Sequence, residues 1–141
     1  MKSIYFFIIS LILVSCSPKE AEPIVLNVDQ CHHCKMNIAH GKFGAELITK
    51  KGRIYKFDDI FCMVNFHQQN LDTEIQNYYI HDYAQNNVLI PAETAFYCKG
   101  GAINSPMHGN IIATTNKQNV LKYIAEFQAN AITWDKIINS K

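Results

Sequence analysis

The chain has 141 residues, enough for one domain or two small ones, and 48% of them are hydrophobic. Thirteen Lys and Arg against twelve Asp and Glu leave a formal net charge of +1. That balance offers a polyanion nothing to hold, which excludes nucleic acid as a natural partner.

Lys2 opens the chain with a positive charge, and residues 4–15, IYFFIISLILVS, follow as an uncharged apolar run. At about 1.5 Å per residue this run is too short to cross a bilayer core of roughly 30 Å as a helix. It fits the h-region of a secretory signal. The run ends in LVSC, which resembles a bacterial lipobox; Cys16 would then be lipid-modified and become the first mature residue. An ordinary signal peptide cleaved near Ser15 is the plainer alternative. Residues 1–15 are read as signal, 16–24 as lipidated cysteine and tether, and 25–141 as the domain. Loss of the signal removes Lys2 and no acid, leaving 12 basic and 12 acidic residues. A domain of that size can bury a working core without obligatory crosslinks.

The stretch CHHCKMNIAH, residues 31–40, holds two cysteines, three histidines and a methionine. A C-x-x-C loop can turn both sulfurs towards one point, and Met36 adds a thioether two residues on. Thiolates and thioethers favour Cu(I). Zinc draws on Cys, His and carboxylates instead. Metal binding is therefore favoured over a disulfide, structural or redox-active, between Cys31 and Cys34. No βαβ unit frames the motif as in a thioredoxin-like protein. His32, His33 and His40 read as solvated loop residues.

Residues 43–49, FGAELIT, and 53–57, RIYKF, read as two strands, with KKG supplying a turn in which Gly52 takes positive φ. Asp58 or Asp59 caps the next helix, whose inner face carries Ile60, Met63, Val64 and His67. There Met63 reads as core and Cys62 as a small buried residue. Residues 77–81, NYYIH, follow as a strand. AQNNVLIPAE, residues 84–93, reads as the join between two halves.

The second half repeats the order by pattern alone. Strands are expected at 94–97 and 110–115, a helix at 117–129 capped by Asn116, and a last strand at 132–134. Val120, Leu121, Ile124 and Phe127 make the helix's apolar stripe. Between the strands lies NSPMHG, an irregular loop in which Met107 has no periodicity to mark it as core. The fold class is α+β, two small ββαβ units packed together after the signal and tether. Asp58, Asp59 and Asp82 read as caps and hydrogen-bond anchors. His67 and His81 are weaker ligand candidates than the loop histidines. No G-x-S-x-G, phosphate loop or paired carboxylate frame is present, and C-x-x-C-K is not the haem-attachment motif.

The chain resembles the NosL family of copper-binding lipoproteins. The resemblance is carried by LVSC ending at Cys16, by CHHCKM with Cys31, Cys34 and Met36, by KFDDIFCM with Phe57, Asp58, Asp59, Cys62 and Met63, by Asp82 in IHDY, by Met107 in SPMHGN, and by the terminal TWDKI. Lys35 stands where the family has glycine, a residue that permits positive φ. The resemblance implies two ββαβ units. It also implies a membrane-anchored, periplasm-facing metallochaperone that delivers Cu(I) to nitrous oxide reductase during assembly of its copper centres. The expected donors are Cys31 and Cys34 as thiolates with Met36 and Met107 as thioethers. Two rivals stand beside this reading. One is a membrane-anchored thiol–disulfide oxidoreductase. The other is a structural zinc module using Cys31, Cys34, Cys62 and Cys98.

Overall fold

The computed structural model describes residues 20–140. The signal, Cys16 and the tether as far as residue 19 lie outside the described residues. The first unit follows the expected order. β1 (Ala45–Thr49) is buried along its whole length and pairs antiparallel with β2 (Ile54–Phe57). Gly52 takes φ +78 in the turn between them. α1 (Ile60–Gln69) is capped by Asp59, whose carboxylate accepts from the Phe61 amide at 2.9 Å. Ile60, Cys62, Met63 and Val64 form its buried face, while the partly buried His67 pairs with the Tyr78 hydroxyl at 3.1 Å. β3 (Ile75–His81) then pairs with the other edge of β1.

The second unit repeats that topology. β5 (Phe96–Lys99) lies between β6 (Ile111–Thr114) and β7 (Asn130–Ile132), with α2 (Lys117–Phe127) connecting the latter two. In each sheet the unit's first strand is central, its hairpin partner lies on one side, and the strand after the helix lies on the other. The fold is α+β, with two antiparallel sheets ordered β2-β1-β3-β4 and β6-β5-β7.

Three expectations need correction. The presumed join at 84–93 contains a strand, β4 (Leu89–Pro91), paired to β3. Asn87, at φ +60, helps turn the chain back. Pro91 then falls at the end of an edge strand, where its missing N–H disrupts no central ladder. Thr94 belongs to a short 3-10 turn, so β5 starts later than expected. Finally, Gln128 closes α2 in the left-handed conformation and β7 begins at once, so Trp134 opens a short helix, α3 (Trp134–Ile138), instead of ending a strand. Thr133 followed by an acid in the first turn is a helix-start pattern. No helix among the described residues is long and apolar enough to cross a membrane.

Two apolar clusters form the interior. The larger packs α1 against the first sheet through Leu47, Phe57, Met63 and Ile80, and it includes Cys31 and Cys62. The smaller contains Cys98, Ile103, Ile112, Val120 and Ala129. Of the stripe expected on α2, Val120 is buried and Ile124 and Phe127 pack partly against this cluster. Leu121 is 54% exposed and faces a groove shared with Phe96 and Trp134.

Two buried aspartates tie the halves together. Asp82, just after β3, accepts from the Ala84 amide, the Gln85 side chain and, at 2.8 Å, the Thr115 hydroxyl. The Tyr83 amide donates to Ala113 of β6 alongside it. Asp59 caps α1 with Oδ1 while its Oδ2 accepts from the Ser105 hydroxyl at 2.6 Å and the Met107 amide at 3.0 Å. Gly109 lets this loop approach, because a Cβ there would lie 2.5 Å from the Phe61 Cβ and 2.6 Å from Asp59 Oδ1.

Asp59→Ala should remove the cap and leave a buried hydroxyl and amide without their acceptor. The expected loss is about 3–5 kcal/mol in urea unfolding, from a cap worth about 1 and two charge-assisted hydrogen bonds. A loss below 1 kcal/mol would contradict the role given to Asp59.

His81 yields a pH prediction. Its ring is 1% exposed, and Nδ1 accepts from the Gly44 amide at 3.1 Å. Nε2 and the Asn87 Oδ1 are both buried without a hydrogen-bonded partner among the described residues. Burial pushes the imidazole down to about 4, only partly offset by the Asn87 side chain. Between that value and 6.5 the unfolded chain binds a proton that the folded chain refuses, so this contribution is complete above 6.5 and fades as pH falls towards 4. Between pH 7 and pH 4 the wild type should lose about 3 kcal/mol relative to His81→Gln, read from paired unfolding curves. A constant difference would refute the neutral buried imidazole.

Candidate metal centre

The C-x-x-C loop owes its position to backbone bonds and one ion pair. The Asn27 amide donates to the Ile38 carbonyl, the Ile38 amide to Asp29, and the Cys31 amide to Met36 at 2.8 Å, closing residues 27–38 into a hairpin-like loop. Lys56 of β2 holds it down, with Nζ 2.8 Å from Asp29 Oδ2 and 3.0 Å from the Pro23 carbonyl. His32 extends the edge of β2. Its amide donates to the Lys56 carbonyl at 2.9 Å, and its Nδ1 accepts from the Lys56 amide at 3.1 Å. At the tip the Lys35 amide donates to the Cys31 carbonyl, and Lys35 sits at φ +66. Here lysine adopts the left-handed conformation that glycine would take freely. That cost, about 1–2 kcal/mol, is carried by a turn whose bonds leave no alternative. Its Nζ donates to the His32 carbonyl at 2.7 Å.

This arrangement turns Cys31 inward, onto the first turn of α1. There it meets Cys62, and the Sγ atoms of Cys31, Cys34 and Cys62 all lie within 4.8 Å of one another. Cys31 and Cys62 are wholly buried and Cys34 is partly exposed. The Cys62 thiol donates to the Cys31 sulfur, and the backbone amides of Asp58, Cys34 and His33 add to it; against the cost of burial, they draw Cys31 down to about 4. Cys62 is pushed up by that same hydrogen bond and by burial. Burial chiefly raises Cys34 as well, although the Met36 amide reaches its sulfur and opposes the rise. Burial, followed by the neighbouring Cys31 and Asp59, raises the Asp58 carboxyl. Its Oδ1 is buried without a hydrogen-bonded partner among the described residues.

Of the expected donors, Cys31 and Cys34 converge. Met36 flanks Cys34 but is 47% exposed. Met107 is partly buried and packs against the cluster that contains Cys31 and Cys62. Its loop is brought to the start of α1 by Asp59. Cys62, read as a small buried residue, is buried, and its sulfur lies beside those of Cys31 and Cys34. Its sequence signals were its place in KFDDIFCM and a position in the first turn of a capped helix, in a chain already carrying a C-x-x-C. Cys98 is buried in the second cluster, apart from the other three, so the four-cysteine zinc site is not assembled. The histidines of the stretch do not join the sulfurs. His32 is engaged with Lys56, while His40 and His108 line a separate cavity of about 320 Å³ with Phe43 and Pro106. His67 and His81 are spent on packing and hydrogen bonds.

Comparison with known proteins places the fold and the family. The crystal structure of the copper chaperone NosL from Shewanella denitrificans superimposes with a TM-score of 0.76, at 20% sequence identity, covering 89% of this chain and all of that one. At that identity the likeness establishes the fold. No curated protein matches the sequence. The sequence profile of NosL matches residues 24–141. The chain belongs to the NosL family.

Proposed function

We propose that the chain is a copper carrier, lipid-anchored through Cys16 to a bacterial membrane and facing the periplasm. Its Cu(I) is delivered for assembly of the copper centres of nitrous oxide reductase. One observation carries the reading: sulfurs from the loop and from α1 converge within 4.8 Å at a point where one of them, Cys34, reaches the surface. Thiolates are the donors Cu(I) prefers. Cys31 and Cys34 bind the ion as thiolates, and the thioethers of Met36 and Met107 assist. Two comparisons support the reading: membership of the NosL family and a structural neighbour described as a copper chaperone. The client and the membrane anchor rest on the family resemblance and the LVSC motif.

A carrier must hold its ion and also release it. Ligand exchange meets both needs, because a donor of the client bonds to copper before a donor of the carrier leaves. The rival oxidoreductase reading is weaker on geometry. Its attacking thiolate should be accessible, whereas the thiol drawn down here, Cys31, is wholly buried.

Cys34→Ser should lower Cu(I) affinity by orders of magnitude in an anaerobic competition titration against a Cu(I) chelator; an unchanged affinity would reject the assignment. Elemental analysis of reduced, oxygen-free protein tests the class of function. The carrier is expected to take one copper per chain. A stoichiometric zinc, or no metal together with a ready two-electron couple, would overturn it.

A further inference from the structure

Copper binding as proposed needs only Cys31 and Cys34 as thiolates. We infer that Cys62 is a third: Cys31, Cys34 and Cys62 form a flat three-thiolate site that holds the cargo, with Met36 and Met107 outside it. The inference rests on the reading of the chain as a Cu(I) carrier and names the ligand set of that site.

The geometry supports a trigonal ion. A thiolate–metal distance of about 2.3 Å, as for zinc, places the three sulfurs of a flat site about 4 Å apart. The three Sγ atoms already lie within 4.8 Å of one another, so closure needs shifts below about 1 Å. No histidine nitrogen or carboxylate oxygen joins the group among the described residues. The set is complete for three-coordinate Cu(I) and one protein ligand short of the usual tetrahedral zinc site.

Restraint separates Cys31 and Cys62 from Met36. Cys62 is fixed in the first turn of α1 by the Asp59 cap. Cys31 is fixed through its amide and carbonyl, which bond to Met36 and Lys35. The Met36 side chain stands 47% exposed on the loop surface and lacks such restraint. Release then has a defined order. A donor of the client forms a bond to copper as the bond to Cys34, the one partly exposed cysteine of the three, breaks. Cys31 and Cys62 keep hold until a second client donor arrives. Copper remains Cu(I) throughout, and no electron moves.

The test loads the reduced full-length protein, in detergent and without oxygen, with one equivalent of Cu(I). X-ray absorption should find three sulfur neighbours in the wild type and still three in the Met36→Leu/Met107→Leu double variant. Cys62→Ser and Cys62→Ala should each show two, with affinity against a Cu(I) chelator lower by about tenfold or more. The first two spectra keep the inference testable should loss of the buried Cys62 impair folding. Two sulfurs in the wild type, loss of one in the double-methionine variant, or unchanged affinity in the folded Cys62 variants would overturn the three-thiolate site and leave the carrier standing. A wild type that takes up no copper would overturn the carrier itself, and this site with it.

Discussion

The structure depends on the Asp59 carboxylate. One oxygen closes the first turn of α1 through the Phe61 amide; the other holds the Ser105 hydroxyl and the Met107 amide. The same side chain thus decides where α1 begins, and so which way Cys62 points, and where the loop of the second half lies. A buried carboxyl group is tolerable only when its oxygens are occupied, and here the two halves occupy them jointly. Ser105 passes the restraint on: its Oγ accepts from the Asn110 amide, and the Asn110 side chain accepts from the Ser105 amide. His108 and Asn110 accept left-handed backbone, at φ +58 and +51, to complete a loop that Gly109 fits against the helix.

Asp82 performs the equivalent task at the other end of the contact between the units. Its bonds to Thr115 and the neighbouring Tyr83–Ala113 backbone bond make the end of β3 an extension of the second sheet. Burial opposes its ionised form, but the Gln85, Thr115 and Ala84 donors together hold the carboxyl below its ordinary value. With both carboxylates bonded across the contact, two sheets that each bury their own apolar face also share an interface. The site lies in the larger cluster, to which Tyr97, Ala113 and Ile137 of the second unit also contribute.

Much of this was legible from residues alone, and the failures have physical causes. Strong local signals carried β1, β2, α1 and α2: alternating apolar residues, a turn ending in Gly52, and side-chain caps at Asp59 and Asn116. β4 was missed because Asn-Asn and Pro91 read as loop punctuation, although proline is compatible with an edge strand. The C-x-x-C could be read because its two donors are neighbours in sequence. Cys62 entered only through the four-cysteine set and the KFDDIFCM match, because the sulfur contact joins a loop to a helix across the 27 residues between Cys34 and Cys62, and only the docking of the loop on β2 through Lys56 and His32 creates it. The same limit applies to Cys98. Composition counted it with the others, but its side chain lies in the second cluster.

Lys35 shows what fixes the two loop sulfurs relative to each other. At φ +66 a lysine has no intrinsic reason to remain, and its exposed contact with the His32 carbonyl is too solvated to compel it. The constraint comes from either side. The Lys35 amide is committed to the Cys31 carbonyl, and the Cys31 amide to the Met36 carbonyl. Between those bonds the backbone must turn left-handed, whatever the side chain. The turn is therefore set by these bonds and not by the side chain at its tip. The turn in turn separates the two sulfurs by environment, sending Cys31 into the interior and leaving Cys34 at the surface. A soft ion held there sits on buried sulfur from within and is reachable at one sulfur from without, which is the asymmetry a carrier needs.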